Sequence, residues 1–552
     1  MIIDLNKLTP DQNITFDRLF NECKLEYIDL IDKIYEQSDK SIYFLLSSVT
    51  SRDLYLNDCL IKLTQLSFIK HYLINHNVKT IIVYDHNQKR IIKSFMRKHK
   101  LDARIDFINL NKYRFIHILK FLPRLLMNIN TVIHYFRVKS KSRLNKIKGK
   151  KEIILINTYF IPSMFVGNEY QDRYYPKLIE LANNTDNIIF SPTCLLGNKL
   201  SNTIKICEKS NINFIYNFDL LKMFDYLCAL FASCLLIKYR FRNLYFLDFD
   251  VSPIINEEMR NNIISHSLFL PLLNYFYLKR LKEEHVDIKL FIDWFENQQL
   301  NRSFNISKSL HYPNVKSIGY QGWIVSNNLH YFHRPTKFEK DIGSIPDEIA
   351  VIGRGLLKNF PFGTNVKTIV SPAFRYNYIH HQTINILEHK MILISLPVNS
   401  DVANYILKFC SSSLHNDYHS CVVVNYHPVL KLSTIKNNSN FEFSDKPFRQ
   451  LIVNTGIVIS NTSSTCVESL ALGVPVIILH GGSNIKQNPI PNTIDKSIWD
   501  ECDNETDFKT AFTRLYIKKN IEDQSNTVKF IRKEFFEPVS KKSVNHFLGL
   551  NN

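Results

Sequence analysis

Short apolar runs and longer segments of helical spacing alternate along most of this chain, the pattern of parallel α/β layers. Runs at residues 42–47, 80–84 and 104–108 predict buried strands, with helices over 56–75 and 88–99. The rhythm breaks at 115–148, where Ile116, Leu119, Leu122, Leu126, Ile129 and Ile133 keep helical spacing in a long apolar and basic segment. It breaks again at 226–245, an apolar run closed by Lys238, Arg240 and Arg242. Strand patterns resume at 152–158, 187–190, 288–294 and 315–318. A second series follows at 350–352, 366–370, 391–396, 421–425, 456–459 and 474–479. The polar, proline-containing stretch 333–348 breaks both periodicities and reads as the hinge. The expected architecture is two Rossmann-like domains, 1–335 and 345–525, facing each other across a cleft. The first carries basic helical insertions near 113–150 and 219–250, and a last helical stretch, 526–552, crosses back onto it.

Composition narrows the class. At 552 residues the chain exceeds what one core holds, and 45% apolar with 22% charged residues is ordinary for a globular protein. The net charge of +18 asks for an anionic partner. Its densest part is Arg137, Lys139, Lys141, Arg143, Lys146, Lys148, Lys150 and Lys151, eight basic residues with no acid among them. Two readings of the insertions stand: core-packed helices whose charges are solvated, or a basic, apolar-faced platform resting on the inner membrane surface. Zinc-finger spacing and RNP-like aromatic motifs are absent, so nucleic acid is not an expected partner. The ten cysteines contain no CxxC pair and read as reduced thiols. The first 17 residues are polar, without the apolar stretch of a signal peptide, and the run 226–237 is too short to span a bilayer. The expectation is a cytoplasmic protein.

The chemistry concentrates near the C-terminus. In IVISNTSSTCVESLALGVPVII, residues 457–478, a buried strand ends at Ser460 and runs through Thr462, Ser463, Ser464 and Thr465 into a helix that carries Glu468. A hydroxyl-rich turn at a helix start offers free backbone N–H groups and hydroxyl donors, which suits a phosphate. One or two hydroxyls would satisfy an N-cap, and this turn has four. Upstream, VVVNYHPVL (422–430) presents His427 and Pro428 at the carboxyl end of another strand. The histidine there can donate to a phosphate oxygen or protonate a leaving group.

The serine pair, the glutamate one turn later and LALGVPVI together resemble the donor site of GT-B glycosyltransferases. That resemblance implies a GT-B fold and a role for Glu468 on the ribose hydroxyls. His-Pro followed by a Ser-Ser/Thr turn is similar to the paired motifs of bacterial sialyltransferases and Kdo transferases, and also of CDP-glycerol glycerophosphotransferases. It implies a cytidine nucleotide, first as a CMP-sugar, held without a metal.

In the other half, LFIDWFENQQLNR (290–302) puts Asp293 and Glu296 around a Trp-Phe pair, with GYQ at 319–321. This context looks like surface-carbohydrate biosynthesis proteins and ulosonic-acid transferases. The resemblance implies that Glu296, or secondarily Asp293, faces the donor's anomeric carbon as base or nucleophile. Glu169 or Asp172 is a further candidate to supply a second carboxylate or hold the acceptor, and Arg375 to pair with a donor phosphate or carboxylate. No DxD-type cluster in a convincing loop, no P-loop and no HExxH motif is present, which disfavours metal-dependent GT-A transferases, kinases and zinc hydrolases. The sequence thus points to a glycosyltransferase that takes no cofactor beyond its nucleotide-sugar donor and acts on a cell-surface polysaccharide, lipopolysaccharide or other glycolipid acceptor. A glycerophosphotransferase, a UDP-sugar transferase and a non-catalytic scaffold of glycan assembly remain as alternatives.

Overall fold

Three parallel sheets carry the fold in the computed structural model. It describes residues 1–550 except 39, 52–53, 55, 109–119, 168, 195–198, 325, 327–334, 360–365, 383–389, 428–429, 431, 436–440, 483–484 and 519–520. A small N-terminal sheet joins β1 (Ile2–Asp4), β2 (Thr80–Val83) and β3 (Arg104–Phe107) in that order. Around it pack the helices Pro10–Gln37, Cys59–Asn75 and His86–His99. The run 42–47 is a correction: it forms the short helix Ile42–Leu45 rather than a strand. A short, continuous apolar run carries no period that separates the two, and the Ser41 hydroxyl, accepting from the Tyr43 amide at 3.2 Å, decides for the helix.

The main N-terminal sheet has seven strands. In chain order these are β4 (Ile153–Phe160), β5 (Ile188–Cys194), β6 (Asn213–Phe214), β7 (Ile288–Trp294), β8 (Lys316–Gln321), β9 (Glu348–Val351) and β10 (Lys367–Val370). Their order across the sheet is β10-β9-β8-β7-β4-β5-β6, all parallel. β4 is buried at every position, as a central strand with helices on both faces must be. Six parallel strands build the second sheet: β11 (Met391–Leu396), β12 (Val422–Tyr426), β13 (Glu442–Ser444), β14 (Thr455–Ser460), β15 (Val476–Leu479) and β16 (Trp499–Cys502). They are ordered β13-β12-β11-β14-β15-β16. Two doubly wound sheets in one chain make a GT-B-like α/β architecture.

The passage between the sheets lies later than the stretch 333–348. β9 hydrogen-bonds onto β8 and β10 onto β9, which extends the first sheet to residue 370, and the chain crosses over through the turn Phe374–His380. Of the stretch read as a hinge, 333–334 lie outside the described residues. The rest is anchored in the first domain: Thr336 caps the helix Lys337–Asp341, and buried Glu339 is ion-paired with buried Arg302. Within the insertions, 113–119 also lie outside the described residues. The remainder forms helices Phe121–Val138, Lys141–Ile147 and Met223–Ala232. One member of the basic run is structural, since buried Arg143 grips Asp219 with two bonds of 2.9 and 2.7 Å.

The chain ends in helices Ile521–Phe535 and Lys541–Phe547. Arg532 donates to the Ala471 carbonyl of the second domain at 2.6 Å. The following turn pairs with the first, Glu537 donating to Ile352 at 2.7 Å and accepting from Ala373 at 2.9 Å. Phe547 then lies against Tyr320 and Phe374, with ring centroids 5.6 and 5.8 Å away.

Candidate functional site

Each doubly wound sheet has one place where successive strands run off in opposite directions, and there the loops at the strand ends diverge and leave a crevice. In the first sheet that place lies between β4 and β7; in the second it lies between β11 and β14. Asp293 stands near the carboxyl end of β7 and Glu296 in the loop after it, and the loop after β4 leads to Arg173. After β14 comes the serine turn, and after β12, on the other side of β11, comes His427. The candidates at the sheet edges therefore sit at or beside the two crevices, because each follows directly from the end of a parallel strand.

Side-chain contacts tie the two crevices together. The Arg375 guanidinium lies 5.8 Å from both the Trp294 and the Tyr376 rings. Trp294 donates its indole N–H to Glu296 Oε1 at 2.8 Å, and Gln298 donates to Oε2 at 3.1 Å. Tyr174 packs against Trp294, ring centroids 4.4 Å apart and tilted by 60°; its hydroxyl is pushed up to about 12 by burial and then by the charge of Glu296. From the second domain, Ser464 lies beside the Tyr376 hydroxyl, which burial pushes up against the pull of Arg375. Arg449 donates to the Arg375 carbonyl and holds its guanidinium 4.2 Å over the Tyr378 ring.

The electrostatics of the cluster are lopsided. Burial pulls His427 down to about 4, and the charges of Arg173 and Arg375 add to the pull. Burial also lowers Arg173, and the like charge of Arg375 lowers it further. None of Arg173, Arg375 and Arg449 forms an ion pair among the described residues. The acid closest in influence is Glu468, 7% exposed, which burial pushes up to about 8 against the pull of Arg375 and Arg173. Three guanidinium groups drawn together with a neutral histidine and an uncharged glutamic acid make a pocket short of negative charge. Phosphate or carboxylate oxygens are what such forks bind bidentately.

Several candidates turn out to be committed inside the fold. Ser460 is fully buried and donates to the Ser395 carbonyl at 2.7 Å, which removes it from the ligand-facing set. Thr465 donates to Ser463 Oγ at 2.7 Å and lies 3.2 Å from Ser395 Oγ. Thr462, Ser463 and Ser464 are half-buried at the turn, and Ser464 makes no capping bond to the helix Thr465–Ala471. That helix has only seven residues, so its dipole is a small contribution beside the arginines. Pro428 lies outside the described residues. Asp293 is 1% exposed and accepts from Asn157 and Asn301, each at 2.9 Å, beneath the site rather than in it. Burial pushes it up to about 7 against those two amides, with Glu296 adding to the push.

Asp172 is likewise a turn residue, its Oδ1 accepting from the amides of Tyr174 and Tyr175 at 2.7 and 2.9 Å. Glu169 is exposed on a small hairpin. The residue of that segment that joins the Arg375 cluster is Arg173, which the sequence reading passed over for its acidic neighbours. Arg449 was missed as well. It follows no motif, and only the crossing of the two domains brings it to Arg375.

No protein-family model matches this sequence, and no curated protein does. Solved structures similar to it include the wall teichoic acid polymerase TagF, at 10% identity over 79% of this chain and 97% of that one, with a TM-score of 0.36. The S. aureus MnaA–UDP complex, at 10% identity, covers 73% of this chain and 98% of its own, with a TM-score of 0.39. A UDP-N-acetylglucosamine 2-epimerase gives 10% identity, 73% and 98% coverage and a TM-score of 0.38. At these scores the likeness carries no argument about activity. The fold rests on its own strand order.

Proposed function

We propose that this chain is a glycosyl-transfer enzyme that holds a nucleotide-activated donor by its phosphate between the two sheets. The observation that carries the reading is the convergence of unpaired Arg173, Arg375 and Arg449 with His427 beside the serine turn, opposite Glu296. In this reading Arg173 and Arg375 neutralise the leaving phosphate, and His427, Ser463 and Ser464 add hydrogen-bond donors. Glu468 holds the ribose hydroxyls. Glu296, oriented by Trp294 and Gln298, takes the proton from the acceptor hydroxyl as the new bond forms. The donor of choice is a CMP-linked sugar acid of the Kdo or sialic type, whose carboxylate and phosphate would occupy the guanidinium cluster together. The acceptor is then a surface polysaccharide or glycolipid.

The number of arginines also favours a second reading. Three guanidinium groups suit two adjacent phosphates, as in a CDP-glycerol or UDP-sugar donor. A thermal-shift panel of CMP, CDP and UDP separates the two, since a ligand at about 100 times its Kd stabilises by about 2.7 kcal/mol. Stabilisation by CMP supports the first reading; stabilisation by CDP or UDP without CMP replaces it with the second. If none of the three shifts the melting temperature, the nucleotide reading fails.

A further inference from the structure

Most helices of this protein turn their apolar side inward, but two leave an apolar stripe uncovered. On the helix Phe121–Val138, the positions Leu122, Leu126, Ile129, Ile133 and Phe136 are spaced by four and three residues, so they share one face. That face is solvent-exposed, from 37% at Ile129 to 59% at Leu122. The core side of the same helix is held by Val132 and Tyr135, both buried. In the helix Met223–Ala232 and the turn after it, Phe224, Leu227, Phe231, Leu235 and Ile237 are exposed by 46–69%. The two helices lie side by side, with the Phe136 and Tyr226 rings 5.2 Å apart. Scattered exposed apolar residues need no explanation, but ten on two adjoining segments do.

Within these two segments the charge is almost entirely basic, and the exposed acids Glu208 and Glu283 beside them are ion-paired with Arg143 and with Lys222 and Arg280. Residues 120–151 contain no acid, and residues 222–242 contain only Asp225, which is buried and paired with Arg280. Arg137, Lys141, Lys238, Arg240 and Arg242 are exposed and form no ion pair among the described residues. Among the described residues no helix is long and apolar enough to cross a membrane, so this face can meet lipid only from the side. An apolar stripe inserted at the acyl boundary, with basic side chains at headgroup level, is how a surface binds an anionic bilayer.

We infer that this face docks the protein onto an anionic lipid bilayer, the one occupant that satisfies both the exposed stripe and the unpaired basic side chains beside it. The inference is independent of what the cleft binds.

The test is co-sedimentation of the full chain with vesicles of phosphatidylcholine alone and of phosphatidylcholine mixed with phosphatidylglycerol. A variant combining L126Q, I133Q and F224Q removes the stripe, and one combining R137Q, K141Q and R240Q removes charge. All these positions are exposed, and circular dichroism melts verify that both variants fold. The expected result is binding at least about tenfold stronger to the anionic vesicles, falling with added salt. The stripe variant should lose binding to both vesicle types, and the charge variant only its preference for the anionic one. Equal partition of the wild type onto both vesicles, or none onto either, overturns the proposal, as does undiminished binding by the stripe variant. A dimer in solution that the stripe variant converts to monomer would assign the face to a second copy instead.

Discussion

Glu468 and Glu296 are both acids beside a basic cluster, yet their surroundings give them different work. Glu296 accepts hydrogen bonds from Trp294 and Gln298 through its two oxygens, which fixes its direction. Replacing it with Gln keeps the shape and removes the base. E296Q should therefore lower kcat by about 10²–10⁴-fold while donor affinity stays unchanged, read by steady-state kinetics and titration. Glu468 is held near 8, so between about 4.5 and 8 the folded protein keeps a proton that the unfolded chain releases. The unfolded state then binds fewer protons, and this group's contribution to stability falls as pH rises through that window. E468Q should melt progressively higher than the wild type from pH 5 to pH 8; a difference that is flat with pH would show that Glu468 is not a buried acid. At this scale the motif residues were legible because strands end in His427 and in the serine turn. Ser460 and Asp293 stand in the same segments but point inward, and side-chain direction is not written in a motif. Arg173 and Arg449 could not be found at all, since their meaning comes from Arg375 standing between them.

Among the elements, the chain end does the joining. The segment around Phe535 runs so close to Gly353 that a Cβ there would lie 2.4 Å from the Phe535 carbonyl carbon and 2.5 Å from the Glu534 oxygen. These are backbone atoms and cannot rotate away. G353A should destabilise the protein by about 1–3 kcal/mol, measured by denaturant unfolding. An equally stable variant would mean that the C-terminal helices are not docked as described. Most strands were legible from their apolar runs, with β7 and β11 matching residue for residue. What the pattern could not supply was membership: β9 and β10 look like any other strands, and only the hydrogen bonds of β9 to β8 and of β10 to β9 assign them to the first sheet. The short edge strands β1, β6, β13 and β16 escaped notice because two to four residues carry too little pattern.

For the whole molecule, the central claim is that two crevices, one per sheet, close on a single anion. The arginines come from both domains and from the crossover between them, so neither domain alone contains the site. The most direct test is calorimetric titration of CMP and CDP into the wild type and into R173A and R375A, folded as judged by their melts. The account predicts that the wild type binds at least one of the two nucleotides. It also predicts that each substitution weakens that binding by about 10–100-fold, the weight of a charge-assisted contact. Wild-type affinity retained in both variants, or no nucleotide bound by the wild type, would contradict it.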